Sequence, residues 1–392
     1  MEERTQAYLR GRFGDYYRRA EVTLPPDADA REWGYIPWTP GPETTMVRHR
    51  SLLSLGDLGE FLARERPQHV YFSAGRYEDP GAGTMAEKRW IDSDLVFDLD
   101  ADHLPAVTLG EDSYAEMLAK CKESLYSLLD FLEADFGFED LTVCFSGGRG
   151  YHVHVRDEAV RPLRSDQRRE IVDYVRGTGL EFEAVVEREL VGGTAGRKSP
   201  AAKESLPTDG GWGRRAHRYL NSFVDDLADV DEAAAVERVR EFDGFGEKKA
   251  RAAVTAARSN REQIAAGNID VHPAFKRLAH TLLEEVAAAE HAHIDEPVTT
   301  DTNRLIRLPG SLHGGSGLAV TRVTREDLDA FDPLVDAVPE TFQSHEITVE
   351  VERGATLEFL GETFTVEPGK ASLPEYAAIF LMARGQAEKG KE

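Results

Sequence analysis

Cysteine is nearly absent: 392 residues hold only Cys121 and Cys144. Two cysteines cannot build a disulfide framework or close a four-cysteine zinc site, so a reducing cytoplasm is the expected setting. No apolar run reaches membrane-spanning length, and the opening Met-Glu-Glu-Arg lacks the basic-then-apolar pattern of a signal peptide; no membrane association is expected. Lysine is scarce too. Eleven of the 47 basic residues are Lys and the rest Arg, against 71 Asp and Glu, for a formal net charge of −24. Such a charge argues at first sight against nucleic acid, whose phosphates call for a basic surface. A Lys-poor, carboxylate-rich surface is also what a high-salt cytoplasm favours, and there screening cuts the reach of net charge to a few ångströms. Local charge must therefore decide. No internal repeat is visible, and the length calls for two or three domains or subdomains.

Against these absences stands the run Leu95-Val96-Phe97-Asp98-Leu99-Asp100, a strand ending in two carboxylates. Side chains alternate along a strand, so Asp98 and Asp100 share one face. Two like charges so close are costly unless a divalent cation lies between them or one carboxylate is protonated. Around this strand, apolar spacing predicts helices over 5–19, 54–66 and 114–133, and strands over 33–38 and 69–73. Leu141–Phe145 and Tyr151–Val155 read as a hairpin through Ser146-Gly147-Gly148-Arg149-Gly150. Residues 165–290 are mostly helical, with an exposed loop expected over 192–211. Strand character returns from His293, and a small terminal unit ends in a helix over 376–387. Strand-rich segments flanking a helical stretch give an α+β fold with a mixed or antiparallel sheet.

The hairpin turn carries a recipe for gripping phosphate: glycine amides, the Ser146 hydroxyl and the Arg149 fork. His152 and His154 face away from Val153 and Val155; the plain alternative is a glycine hairpin with both histidines in solvent. Asp295 to Thr299 followed by Arg304-Leu305-Ile306-Arg307-Leu308-Pro309-Gly310-Ser311-Leu312-His313-Gly314 adds a carboxylate, two arginines and a histidine. Within the helical stretch, Phe242-Asp243-Gly244-Phe245-Gly246-Glu247-Lys248-Lys249 resembles a helix-hairpin-helix over 239–256, a motif that offers backbone amides to DNA phosphates.

In order and spacing these motifs resemble the catalytic small subunit of archaeal and eukaryotic DNA primase, of the haloarchaeal type. The resemblance covers about residues 8–335. It rests on Leu-Val-Phe-Asp-x-Asp (95–100), Ser-Gly-x-Arg-Gly-x-His (146–152), Asp-x-x-Val-Thr (295–299) and the 304–314 run, with Arg31-Glu32-Trp33-Gly34 and Val47-Arg48-His49-Arg50-Ser51 before them. It implies a discontinuous catalytic core of the archaeo-eukaryotic primase type over 1–165 and 291–345; the helical stretch over 166–290 then reads as an insert and 346–392 as a small C-terminal unit. Asp98, Asp100 and Asp295 would be the metal-binding, catalytic carboxylates for two Mg²⁺ or Mn²⁺ ions. Ser146, Gly147, Arg149 and His152 would hold the nucleotide triphosphate, with Arg307 and His313 opposite and Arg48 on the nucleotide side. Implied partners are a large primase subunit, single-stranded DNA template with primer, and nucleoside triphosphates. The activity would be synthesis of short RNA (or DNA) primers.

Two departures stand out. Gly148 lies where some members of the family carry a second arginine. The family's zinc knuckle is also missing, since residues 101–121 offer only His103 and Cys121 beside acidic groups such as Asp102 and Glu111. Two ligands do not close a tetrahedral site, so no structural zinc is expected. The competing readings are a non-catalytic nucleotide- or DNA-binding subunit derived from such an enzyme, which the three intact carboxylates disfavour, and an Asp-x-Asp sugar-nucleotide transferase, which predicts neither the hairpin nor Asp295.

Overall fold

In a computed structural model describing residues 1–39, 45–181, 185–191 and 201–391, the strand Leu95–Asp100 is buried at Leu95, Val96, Phe97 and Leu99. A nearly continuous apolar run is what a strand covered on both faces requires. It forms the edge of a four-stranded sheet whose order is Thr321–Val323, Leu141–Phe145, Gly150–Val155, Leu95–Asp100. A second sheet orders Leu305–Arg307, His69–Tyr77, Arg31–Ile36 and Val47–Arg50, with Trp90–Ser93 also paired to His69–Tyr77. All ladders in both sheets are antiparallel, and the architecture is α+β. The two sheets meet through Ala74, Val96, Val298 and Ile306, all buried, and through the Phe72 ring stacked on His154 at 5.8 Å.

These sheets belong to the first of two units, formed by Met1–Tyr126, Phe138–Val172 and His293–Glu392. The expected helix over 54–66 is split into Leu52–Leu55 and Leu58–Glu65, because Gly56 takes a φ of +80° and Asp57 caps the second piece through Glu60 N–H. Residues 346–392 are not set apart. Their strands Glu346–Val351, Gly369–Pro374 and Ala387–Lys389 and the helix Glu375–Ala383 lie in this unit, with Lys389 N–H bonded to Thr5 of the first helix, Glu3–Tyr17.

The second unit, Ser127–Gly137 with Asp173–Ala292, carries the helices Gly211–Asp229, Glu232–Arg240, Glu247–Ser259, Arg261–Ala265 and Pro273–Glu290. The loop expected over 192–211 falls outside the described residues as far as 200; beyond that, Ala201–Ser205 is a strand paired with Glu187–Val191. Gly244 (φ +81°) turns the link between the second and third of these helices, and Gly246 starts the third. Among the described residues no helix is long and apolar enough to cross a membrane.

At the root of the carboxylate strand Asp94 is fully buried and carries the charge balance of the core. It accepts from Arg31 and Arg156, each at 3.0 Å, while Arg168 donates to the carbonyls of Asp94 and Ser93. Removing Asp94 strands Arg31, itself fully buried, so Asp94→Ala is expected to cost about 3–5 kcal/mol in equilibrium chemical denaturation at constant high salt. His154 lies 3.6 Å from the same carboxylate, yet burial, helped by the nearby Arg156 charge, outweighs that neighbour and holds its pKa down at about 4. The unfolded chain protonates His154 near pH 6.5 and the native state does not. Stability is therefore expected to fall as pH drops from about 6.5 to 4, by about 1.4 kcal/mol per pH unit from this residue, and His154→Gln should flatten that part of the denaturation-versus-pH curve.

Candidate active site

On the carboxylate strand Val96, Asp98 and Asp100 lie on one face, which begins in the core and ends in a cavity. Their Cα partners on the neighbouring strand are His154, His152 and Gly150. The same face thus passes from a buried apolar position to two carboxylates, each opposite a polar or side-chain-free position. Leu99 belongs to the other face, and beneath it Cys121 is buried with Sγ 3.8 Å from the Leu99 carbonyl. Gly150 is required where it stands: a Cβ there would come within 1.8 Å of the Leu99 carbonyl oxygen.

The free edge of this strand receives a segment from far along the chain. Asp295 N–H donates to the Asp98 carbonyl at 2.9 Å, and the short helix Glu296–Thr300 follows at once with Val298 buried beside Val96. Asp295 sits at the N-cap position of that helix, but its carboxylate makes no capping bond. A cavity of about 500 Å³ is bordered by Asp98, Asp100, Asp295, His152, Arg304 and Arg307, and also by Arg48, Tyr71, His103 and Asp301.

Asp98 and Asp100 each have a partner in this arrangement. Asp98 Oδ1 lies 3.2 Å from His152 Nε2; burial would raise its pKa, but His152, Arg307 and Arg304 outweigh that and hold it below the usual carboxylate range. Asp100 accepts from Asp102 N–H and lies 4.0 Å from Arg149. Among the described residues no three His, Cys, Asp or Glu side chains converge on one point where a single ion would touch them all. Even so, three carboxylates from two neighbouring segments, bordering one cavity, are the hard-oxygen donor set that Mg²⁺ or Mn²⁺ takes.

A second cavity, of about 410 Å³, shares Asp100 and Arg307 with the first and is further bordered by Ser146, Gly148, Arg149 and His313, with Tyr114, Arg384 and Gln386. The turn is held tightly. Gly147 has φ +74° and no room for a Cβ, which would lie 2.7 Å from His313 Cβ. Ser146 Oγ accepts from Gly148 N–H, Tyr114 donates to the Gly148 carbonyl, and Ser316 donates to the Gly147 carbonyl. Arg149 pairs with Asp102 at 2.5 Å. Burial, then the charges of Arg307, Arg149 and Arg384 together with His69, hold the His313 pKa far below the usual imidazole range. His313 is thus neutral, and its Nδ1 accepts from Gly315 N–H at 3.2 Å, which assigns the proton to Nε2 beside Gly148.

The structure brings Asp98, Asp100, Asp295, His152 and Arg307 to one cavity, and Ser146, Arg149 and His313 to its neighbour. Arg48 borders the first while bound to the buried carboxylate of Glu32, Nε to Oε1 at 3.1 Å. His152 and His154, free to be solvent-facing on the plain reading of the hairpin, are buried because the second sheet covers that face. Arg304, one of the two arginines of the 304–314 run, also borders the first cavity, whereas Tyr71 and Asp301 on that side, and Tyr114, Arg384 and Gln386 on the other, carry no sequence signal of a site.

A family profile described as "DNA primase small subunit" matches residues 97–325. The DNA primase small subunit PriS of Haloarcula marismortui is 68% identical over 392 residues, all of both chains. That of Halobacterium salinarum is 65% identical over the full length of both, and that of Methanothrix thermoacetophila 45% identical over 401 aligned positions, again covering both completely.

The glycine geometry separates neighbours in the turn. Gly150→Ala is expected to cost about 3 kcal/mol or more, since a backbone carbonyl must move, whereas Gly148→Ala, whose Cβ would meet only the His313 ring at 3.1 Å, should change stability little. Thermal melts of the two variants at one salt concentration check this.

Proposed function

Because the chain belongs to the DNA primase small-subunit family, we propose that it is the catalytic subunit of a primase, making short RNA primers (or DNA) on a single-stranded DNA template by two-metal nucleotidyl transfer. The observation that carries this reading is the Asp295 N–H bond to the Asp98 carbonyl, which sets a third carboxylate beside the Asp98 and Asp100 cavity. Asp98, Asp100 and Asp295 would hold Mg²⁺ or Mn²⁺. Bound divalent ions supply charge neutralisation at the reacting phosphate and a more acidic primer 3′-hydroxyl.

The chain's own residues position and shield. Arg307 borders both cavities and so faces the nucleotide where its phosphates meet the carboxylates. Arg149 offers a fork, Ser146 a hydroxyl, and neutral His313 an Nε2–H donor that adds no charge to the pocket. His152 orients Asp98 through the bond at 3.2 Å. Arg48, fixed by Glu32, faces the carboxylate cavity from the nucleotide side. Catalysis on this reading is positioning and charge complementarity at the phosphorus. A larger partner subunit completes a heterodimer, as the relatives' name of small subunit suggests. The Gly244 link with Lys248 and Lys249 is a further contact for template phosphates, through the amides that open the Glu247–Ser259 helix.

Incubated with single-stranded DNA, labelled nucleotides and Mg²⁺ or Mn²⁺ in high salt, the protein should make template-dependent oligomers. Asp98→Ala, Asp100→Ala and Asp295→Ala should each lower the rate at least ~100-fold with little change in melting temperature. Synthesis that persists in all three variants would overturn the proposed metal site.

A further inference from the structure

The chain's last helix ends at the phosphate cavity. Glu375–Ala383 is apolar and buried from Ala377 to Met382. It closes with Gly385 at φ +67°, Gly385 N–H on the Met382 carbonyl and Gln386 N–H on the Leu381 carbonyl, the paired bonds of a Schellman cap. That closure fixes where Arg384 emerges. Its guanidinium lies 5.3 Å from the Tyr114 ring and 5.0 Å from the Phe380 ring, and the two rings are 5.0 Å apart. Tyr114 in turn donates to the Gly148 carbonyl, so Arg384 is tied through one aromatic ring to the glycine turn.

The charges in the cavity are unevenly matched. Arg149 is taken up by Asp102 at 2.5 Å, with Asp100 at 4.0 Å. Arg307 and Arg384 border the same cavity, and neither has a carboxylate within ion-pair distance among the described residues. Arg384 is exposed, so a ligand can reach it. In a chain where acidic groups so outnumber basic ones, two unmatched guanidiniums facing one cavity of about 410 Å³ are an anion site of high local charge. We infer that Arg384 is a third arginine of the nucleotide pocket and binds the outer phosphates of the incoming nucleoside triphosphate. This rests on the reading of the cavity given above, and it makes the C-terminal segment part of the substrate site.

Equilibrium binding of tripolyphosphate, ATP and adenosine to the full chain at constant ionic strength tests the inference. Arg384→Ala should weaken tripolyphosphate and ATP about ten-fold while leaving adenosine unchanged, and Arg384→Lys should recover part of the loss. Arg384→Gln keeps the stem stacked on the two rings and should show the same loss at an unchanged melting temperature, which separates charge from packing. If Arg307→Ala weakens tripolyphosphate and Arg384→Ala and Arg384→Gln do not, the cavity reading stands and this inference is overturned. If the unsubstituted protein binds neither tripolyphosphate nor ATP, the cavity reading falls and the inference with it.

Discussion

The geometry of the candidate site depends on one backbone hydrogen bond, from Asp295 N–H to the Asp98 carbonyl at 2.9 Å. Leu95–Asp100 is the edge strand of its sheet, and an open edge must be paired or covered. The segment that covers it brings the third carboxylate with it. From there the chain runs as a lace between the two sheets. Glu296–Thr300 packs Val298 into the inter-sheet core, Leu305–Arg307 joins His69–Tyr77, and Thr321–Val323 joins Leu141–Phe145. Arg307 is therefore set by sheet register, Asp295 by its bond to the strand edge, and His313 by its bond to Leu318 beside the Leu312–Ala319 bridge. Loop-closure cost grows slowly with length, which is why the whole second unit can be inserted before Asp295 without loosening this arrangement.

Net charge and site charge have opposite signs for a physical reason. The formal charge of −24 is spread over the whole chain, and in strong salt its reach is short, the Debye length being only about 3 Å at 1 M. Long-range steering of a phosphate-bearing ligand is lost under such conditions. Recognition then rests on contacts of a few ångströms, and these are what the paired cavities supply. Keeping His313 neutral fits the same logic. It places a donor among Arg149, Arg307 and Arg384 without adding a fourth positive charge to their mutual repulsion.

Asp100 and Arg307 border both cavities, so the two cavities are not independent. Arg149 links them further, bound to Asp102 and 4.0 Å from Asp100, while Asp102 N–H donates to Asp100. Any anion that draws Arg149 toward itself weakens its hold on these two carboxylates and leaves more negative charge to attract a cation. Linkage makes that coupling reciprocal. The rigid glycine turn keeps the exchange local, since Gly147 and Gly150 fit only without a Cβ.

Much of this was legible in the chain because it is carried by local pattern. Alternation placed Asp98 and Asp100 on one face, glycine spacing marked the hairpin, and the Asp295 to His313 run stood out by its density of polar groups between apolar ones. What stayed hidden depends on what lies across a space. His152 and His154 have the same alternation whether water or a second sheet covers them, and only the sheet buries them. The resemblance puts Arg48 on the nucleotide side, but only folding supplies its partner Glu32, buried on a neighbouring strand. The tail from residue 346 reads as a separate unit because its strands pair mainly with one another, yet Thr5 and Lys389 tie it to the first helix. Arg384 is the extreme case. Nothing near it in sequence marks an anion site, since its neighbours are a buried apolar helix and a glycine cap. Its partners, Tyr114 and the Gly148 turn, are supplied only by folding. A local pattern can announce a motif, but the groups that complete a pocket are chosen by tertiary closure.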